Sequence, residues 1–284
     1  MIPSAGSVDG IVIGSQERKA AVLGVIRSAR RSLKLTIFRC SDFQVLQELA
    51  RARQRGVRIQ VLFTREAKGW RKQLTLLRVL VQSLGAEIRS YRSAIKYHAK
   101  YVVADDVVAL ISTSNLTREC FDFTCDFSLM TRDPEVVAGL VALFDRDWKG
   151  PRKARPRGLG KRLVVGPGAA RKQILELFQS ARHSIRVIDH KLSDPEVLDL
   201  FKRKQSEGID VTVLGRGAVP GLRSHGRLFL IDGNTAVVGS LSLTSRSLDA
   251  RREVAIMVRD AECVRKLNQF FENAAFRPLK EMAA

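Results

Sequence analysis

The sequence predicts an α/β fold built from two duplicated lobes, in each of which strands alternate with helices. Three features predict it: a helix-then-strand pattern that occurs twice, a glycine that ends the second helix of each copy, and a histidine-centred segment that also occurs twice. Alternating strands and helices are typical of a sheet whose faces are covered. Because there are only two copies, the chain is one internal duplication and not a solenoid.

The first copy contains "VLGVIRSARRSLKLTIF", in which Val22, Val25, Ile26 and Ala29 recur at helical spacing ahead of a strand-like run. The segment "ILELFQSARHSIRVID" repeats this pattern 152 residues later. Two glycines, Gly56 before "VRIQVLF" and Gly208 before "IDVTVL", have the same displacement. Each half therefore predicts the order strand, helix, strand, helix, strand, with the glycine ending the second helix.

A basic segment separates the copies. "PRKARPRGLGKR", residues 151–162, holds six Lys and Arg residues and no acid, and its Pro and Gly content predicts a linker. The predicted organisation is therefore lobe 1 over residues 1–150, the linker over 151–162 and lobe 2 over 163–284.

The charge of the chain favours a polyanionic partner. The formal net charge is +20, and residues 51–100 carry thirteen Lys and Arg against two acids. Solubility alone would not require so uneven a distribution, so nucleic acid is the predicted partner. An anionic lipid surface would also attract this charge. No aromatic-rich amphipathic segment, membrane span or signal peptide is found, and four scattered cysteines indicate reduced thiols, so a cytoplasmic protein is expected.

The first half is longer than the second by 25 residues between Leu62 and His98. The extra segment includes "GWRKQLTLLRVLVQSLG", whose apolar residues at helical spacing predict a surface helix. Its basic outer side is a candidate nucleic-acid contact, with plain solvation equally well supported. That side consists of Arg71, Lys72 and Arg78.

A histidine-centred segment follows in each half. "KYHAKYVVADDVVALISTSN" covers residues 96–115, and "SHGRLFLIDGNTAVVGSLS" covers residues 224–242. Alternation around a turn predicts a hairpin in each, with Thr113 opposite His98 and Ser240 opposite His225. Each hairpin would gather an imidazole, a cation and hydrogen-bond donors at one end.

These residue types suit a phosphodiester. Lys100 and Arg227 can neutralise its non-bridging oxygens, and the amide and hydroxyl groups can donate hydrogen bonds as charge develops. The candidate donors are Asn115, Thr113, Ser240 and Ser242. A neutral imidazole can attack phosphorus and a charged one can protonate the leaving oxygen, each oriented by a carboxylate. Asp126 and Glu253 each follow a histidine by 28 residues and are the candidate carboxylates.

The repeated pattern H-x-K-x4-D-x6-G-S-x-N resembles the phospholipase D superfamily. The first copy has Ser112 at the usual Gly position, and the second has Arg227 for Lys and Ser242 for Asn. The resemblance implies two mixed sheets flanked by helices about a pseudo-twofold axis, a covalent phosphohistidine intermediate and no metal. It also implies that Asp105 and Asp232 support the structure.

The predicted function is that of a metal-independent phosphodiesterase, a nuclease, without a cofactor. His98 is the predicted nucleophile and His225 the general acid. Two alternatives remain: a phospholipase D or cardiolipin synthase-like phosphatidyl transferase, and a catalytically weak nucleic-acid-binding subunit of a larger assembly with a partner protein. His183 and His190 are interpreted as bystanders, although His190 has a position from which it could border the cleft.

Overall fold

The computed structural model describes residues 7–91, 94–150, 158–217, 219 and 221–275. Strands of the first half are β1 (Asp9–Val12), β2 (Ser32–Ile37), β3 (Arg58–Phe63), β4 (Glu87–Ser90), β5 (Lys96–Tyr97), β6 (Tyr101–Ala104), β7 (Val108–Ser112), β8 (Thr124–Cys125) and β9 (Ser128–Thr131). Its helices are α1 (Ser15–Ser28), α2 (Phe43–Gln54), α3 (Arg71–Ser83), α4 (Arg118–Asp122) and α5 (Pro134–Lys149).

The second half repeats the order without a counterpart of α3. Its strands are β10 (Leu163–Val165), β11 (Ser184–Ile188), β12 (Asp210–Leu214), β13 (Arg223–Ser224), β14 (Leu228–Ile231), β15 (Thr235–Gly239), β16 (Arg251–Arg252) and β17 (Val254–Val258). Its helices are α6 (Ala170–Gln179), α7 (Pro195–Ser206), α8 (Ser245–Ala250) and α9 (Ala261–Ala275).

The two large sheets share one topology. The seven-stranded sheet has the order β1-β9-β7-β6-β2-β3-β4, and the six-stranded sheet has the order β10-β17-β15-β14-β11-β12. In both, the second and third strands of the half pair in parallel and the hairpin strands pair antiparallel. The prediction of duplicated α/β lobes with mixed sheets is therefore confirmed, and the extra strand β4 follows the extra helix α3.

Local signals place the helix ends. Asp42 and Asp194 accept hydrogen bonds from backbone N–H groups at the starts of α2 and α7, which satisfies donors that a helix leaves unpaired. Gly56 and Gly208 follow the ends of the same helices with φ of 86° and 83°, a conformation that favours glycine. The glycine signals in the sequence are thus confirmed as helix terminators.

The core has three layers. One cluster lies where α1 and α2 cover the outer face of the first sheet, and a second lies where α6 and α7 cover the second sheet. The third, between the sheets, mixes residues from both halves and from α5 and α9. Tyr97, Phe127 and Phe144 from the first half and Leu228 and Phe271 from the second belong to it.

Two short parallel pairs exchange strands between the halves. Strand β5 pairs with β16, and strand β8 pairs with β13. The residues that follow these four strands include His98, Asp126, His225 and Glu253, so the exchange brings the candidate site residues of the two halves to one place.

The predicted lobe boundaries stay a prediction. Residues 151–157 of the linker lie outside the described residues. At the end of the linker, Arg162 forms ion pairs with Asp9 and Asp133, and its carbonyl accepts a hydrogen bond from the N–H of Met257. No helix among the described residues has the length and apolar character that crossing a bilayer requires.

Candidate active site

The hairpins that carry the histidines differ from the predicted register by one position. Tyr101 pairs with Ile111, and the N–H of Ser112 donates to the carbonyl of Lys100 at 2.9 Å. Thr113 therefore does not lie opposite His98, and the same shift applies to Ser240 in the second hairpin, where Leu228 pairs with Val238. The reason is a three-residue loop at each hairpin tip, where the prediction assumed a tighter turn.

Asp105 and Asp232 occupy these tips with φ of 55° and 50°. The Asp105 carboxylate accepts from the N–H groups of residues 30, 31 and 32, at 2.7–2.8 Å. The Asp232 carboxylate accepts equally from residues 182, 183 and 184. Each aspartate therefore ties its hairpin to the start of the neighbouring strand, away from the site.

His98 is buried and oriented by the other half. Its Nδ1 lies 2.9 Å from a carboxylate oxygen of Glu253, and its backbone N–H donates to the carbonyl of Arg252. An ionised carboxylate only accepts hydrogen bonds, so Nδ1 carries the proton and Nε2 keeps its lone pair. Lys100 Nζ lies 3.2 Å from that Nε2. The geometry suits a neutral nucleophile beside a cation.

Burial and the neighbouring charges set the protonation states of His98, Lys100 and Glu253. The pKa of His98 is lowered to about 3, mainly by burial; the charges of Lys100 and Arg227 add to this shift, and Glu253 opposes it. Burial also lowers the pKa of Lys100 to about 7, with Arg227 adding to the shift. Burial alone would raise the pKa of Glu253, but His98 and Lys100 hold it at about 2. His98 is thus neutral and Glu253 ionised over the physiological range.

His225 has an equivalent carboxylate partner, which comes from the first half. Its Nδ1 lies 2.9 and 3.0 Å from the two oxygens of Asp126, a fully buried carboxylate that also accepts from the hydroxyls of Thr113 and Thr124. Burial opposes ionisation of Asp126, but His225 and these hydroxyls lower its pKa below the usual value. The side chain of His225 is 24% exposed, against 10% for that of His98.

The carboxylates are therefore exchanged between the halves. Each candidate carboxylate was predicted from its spacing after the histidine of its own half, yet Glu253 serves His98 and Asp126 serves His225. The equal spacing of 28 residues comes from the duplicated sequence and does not show which histidine each carboxylate serves.

Arg227 is the second cation of the candidate site. It is only 2% exposed, and its Nε and Nη1 atoms are buried without a hydrogen-bond partner. Its charge acts on His98 and Lys100. A buried guanidinium without partners is costly, so this group is poised to receive an anion. Asn115 also reaches across, with Nδ2 3.5 Å from His225 Nε2.

The predicted hydroxyl donors have other partners. Thr113 Oγ1 donates to Asp126, and Ser240 Oγ lies 3.3 Å from the carbonyl oxygen of Val254. Ser242 Oγ lies 2.9 Å from a carboxylate oxygen of Asp189. A hydroxyl has one proton, so these groups support the site and do not donate to a phosphoryl group in this arrangement.

His190, interpreted from the sequence as a bystander, lies close to the site. Its Nδ1 is buried without a hydrogen-bond partner, and burial lowers its pKa to about 4, with Arg227 and His225 among the charges that act on it. It stands 152 residues after Phe38, whose ring packs edge-on against His98 at 4.6 Å. Comparing these two positions in the duplicated pattern would have placed His190 beside the cleft.

The basic side of α3 is only partly available. Arg78 donates to the carbonyls of Thr64 and Arg65 and stacks on Phe63, so it anchors the helix and is not a free nucleic-acid contact. Arg71 and Lys72 are exposed, as predicted for them.

One group of metal-ligand side chains escaped the sequence analysis. Cys120, Asp126 and His225 offer ligand atoms within 4.8 Å of one another. However, Asp126 is already bonded to His225 and two hydroxyls, and burial raises the pKa of the Cys120 thiol. Within the described residues, this group is therefore better interpreted as support for His225.

Known proteins share this architecture. Polyphosphate kinase from Mycobacterium avium (strain 104) is 25% identical over 286 residues, which cover 86% of this chain and 38% of that protein. The crystal structure of polyphosphate kinase from Porphyromonas gingivalis superimposes with a TM-score of 0.75 at 20% identity, covering 93% of this chain and 46% of the other. The chain thus spans about two fifths of the length of the curated relatives it matches.

The fold is also similar to that of phosphatidylserine synthase from Haemophilus influenzae Rd KW20, with a TM-score of 0.75, 13% identity and coverage of 94% and 86%. The family model described as "Cardiolipin synthase, PLD-like domain" matches residues 22–148 and 218–275, which is more than half of the chain and includes both histidine-centred segments. The chain therefore belongs to the PLD-like domain family of the phospholipase D superfamily.

Proposed function

We propose that the protein is a phosphoryl-transfer enzyme in which His98 is the nucleophile and His225 the general acid. The observation that carries the proposal is the state of His98: a buried imidazole with its proton held toward Glu253 and its Nε2 beside Lys100. A neutral imidazole is nucleophilic, and neighbouring cations stabilise the charge that develops on the phosphoryl oxygens.

The reaction follows from these positions. Nε2 of His98 attacks phosphorus, the bond to the leaving oxygen breaks, and His225 supplies the proton that this oxygen needs. Lys100 and Arg227 balance the phosphoryl charge. His225 then removes a proton from water, which attacks the phosphohistidine and releases the product. Asp126 and Glu253 keep the two imidazoles in the required tautomers.

The proposed substrate is a nucleic acid, which would make the protein a nuclease. The net charge of +20 and the cation-rich site support a polyanion. A second candidate is phosphoryl transfer on linear polyphosphate, which the similarity to proteins named polyphosphate kinase favours. A phosphatidyl-transfer reaction is supported by the family model, which is described as that of a cardiolipin synthase, and by a fold similar to that of a phosphatidylserine synthase.

A substrate panel tests the proposal. The protein is incubated in EDTA with labelled single- and double-stranded DNA and RNA, with linear polyphosphate and with vesicles that contain cardiolipin-like lipid. Cleavage of nucleic acid in EDTA is expected, since histidines and fixed cations suffice for the reaction. Activity that disappears in EDTA and returns with magnesium or manganese would contradict the two-histidine mechanism.

The covalent intermediate gives a second measurement. Rapid quenching followed by mass spectrometry is expected to locate a phosphoryl group on His98. Tight binding of nucleic acid with neither turnover nor adduct would favour the binding-subunit alternative.

A further inference from the structure

A group of cations lies outside the two histidines on the first-half side of the cleft. The ring of Phe38, which packs against His98, is surrounded by them: Lys96 Nζ and Lys100 Nζ each lie 5.2 Å from the ring centroid, and the Arg39 guanidinium carbon lies 5.5 Å from it. Phe38 and Arg39 also line one small pocket together with Lys100 and Asn115 of the site. The cations therefore continue outward from the place where the scissile phosphate would bind.

The second half adds two more cations. Arg251 pairs with Lys96 in the register of strands β16 and β5, so the two are neighbours across the halves. Burial lowers the pKa of Lys96, and the charges of Arg251, Arg39 and Arg246 lower it further. Four positive groups therefore share a small region. We call Arg39, Lys96, Arg246 and Arg251 the first mouth.

None of these cations forms an ion pair within the described residues, although the charge of Glu66 acts on Lys96 and that of Glu253 acts on Arg251. Among the described residues, no carboxylate oxygen lies within 4.0 Å of a charged nitrogen of the first mouth. In addition, the Nε atoms of Arg39 and Arg251 are buried without a hydrogen-bond partner. Like charges that are partly removed from water and unpaired destabilise a protein unless an anion compensates them.

The opposite side of the cleft differs. The β13–β8 pair corresponds to β16–β5, so Arg223 occupies the position of Lys96 and Thr124 that of Arg251. Arg223 is paired with Glu119 at 2.7 Å. On this side Lys191, which stands 152 residues after Arg39, also forms no ion pair among the described residues. The unpaired charge is therefore concentrated on the first-half side, and this asymmetry would give a bound chain a preferred direction.

We propose that the first mouth is a second anion subsite, which binds the phosphate next to the scissile one in a linear chain of phosphates. This inference rests on the proposed function for the identity of the inner phosphate. It deepens that function, because a diester with a single phosphate would fill only the inner position. The shared chemistry is a run of consecutive phosphates, as in a nucleic-acid backbone or in polyphosphate.

The test compares two triple variants in the His98→Ala background, in which binding is measured without turnover. The first, Lys96→Gln/Arg246→Gln/Arg251→Gln, removes three charges of the first mouth. The control, Lys172→Gln/Lys202→Gln/Arg223→Gln, removes the same charge from side chains that are paired elsewhere. Fluorescein-labelled single-stranded oligonucleotide and labelled linear polyphosphate are the two probes.

The first variant is expected to weaken binding of at least one probe by about tenfold or more. It should also make the log–log salt dependence shallower by about 0.7, since the contact to one phosphate is lost and each such contact contributes roughly 0.7 to the slope for a single strand. The control should change affinity by less than about twofold, as exposed paired charges contribute little. The probe that responds identifies the chain. Equal losses in the two variants, or no loss for either probe, would overturn the proposal.

Turnover with His98 present separates this inference from the proposed function. Bis(p-nitrophenyl) phosphate has only one phosphate. The loss of kcat/KM caused by the first variant is therefore expected to be at least tenfold smaller with this substrate than with the oligonucleotide or polyphosphate whose binding it weakens. Equal losses would overturn the subsite. If no substrate is turned over but the selective loss of chain binding remains, the subsite stands and the proposed reaction falls.

Discussion

The two histidines occupy equivalent backbone positions in the two halves, but different side chains surround them. His98 is enclosed by Phe38, Lys100 and Glu253, whereas His225 is more exposed and has His190 at the position that corresponds to Phe38. A pair that attacks and protonates needs one neutral and one charged imidazole at the same pH. The two halves thus place their histidines in equivalent backbone positions, and a few side-chain differences suit them to the two roles of the proposed reaction.

The largest effect is expected from replacing each of the two histidines in turn. His98→Ala removes the attacking nitrogen and should lower turnover on the order of 10⁵-fold, without a covalent adduct. His225→Asn should be slow with ordinary substrates but still form the adduct with bis(p-nitrophenyl) phosphate, whose leaving group needs little protonation. Quenched-flow mass spectrometry measures both. An adduct found only on His225 would reverse the assignment.

The exchanged carboxylates can be tested separately. Glu253→Gln and Asp126→Asn should each lower turnover by about 10²–10⁴-fold, because the imidazole loses its fixed tautomer. Glu253→Gln should behave like loss of His98, with slow adduct formation from bis(p-nitrophenyl) phosphate. Asp126→Asn should behave like loss of His225 and keep rapid adduct formation. The opposite pattern would mean that each carboxylate serves the histidine of its own half.

The charges of the two site cations, Lys100 and Arg227, should respond differently to pH. The pKa of Lys100 is lowered to about 7, so its charge is present below that pH and lost above it, whereas an arginine stays charged. Sulfate, which keeps its charge over pH 5–9, should bind more weakly above pH 7, by up to about tenfold per unit. Calorimetry at several pH values measures this, and Lys100→Arg should remove the step. A constant affinity in the unmodified protein would show that Lys100 remains charged.

The smallest effect is expected at the last position of the motif, where the first half carries Asn115 and the second carries Ser242. Ser242→Ala removes a buried hydrogen bond to Asp189 and should lower the free energy of unfolding by about 1–3 kcal/mol. Its turnover should fall less than that of Asn115→Ala, whose amide lies beside His225. Urea denaturation and steady-state kinetics give the two values. A larger kinetic loss for Ser242→Ala would place its hydroxyl at the substrate.

Repetition made much of the fold predictable from the sequence. The displacement of 152 located matching helices, and Gly56 and Gly208 marked where they end, because a left-handed residue is needed there. The register was one position out because Asp105 and Asp106 both adopt positive φ in a longer loop, which their identities alone did not reveal.

The site was harder to derive because its contacts cross between the halves. A spacing of 28 residues is the same whether Asp126 serves its own half or the other, so only three-dimensional strand exchange distinguishes the cases. Arg78 has the spacing of an outer residue, yet its long side chain folds back onto nearby carbonyls. His190 carried no motif, and its place beside Arg227 depends on the tertiary packing.

The exchange of carboxylates has a consequence for synthesis of the chain. When a ribosome has made the first half, His98 is present but the glutamate that fixes its tautomer is 155 residues further along the chain. In the proposed reaction, the newly made first half therefore carries a nucleophile whose tautomer is not yet fixed, and a proteolytic fragment of either half also lacks the carboxylate partner of its histidine. In the proposed reaction, both imidazoles are held in their tautomers only when the two halves have folded onto each other, so a partly made or damaged copy would be much less active toward phosphates.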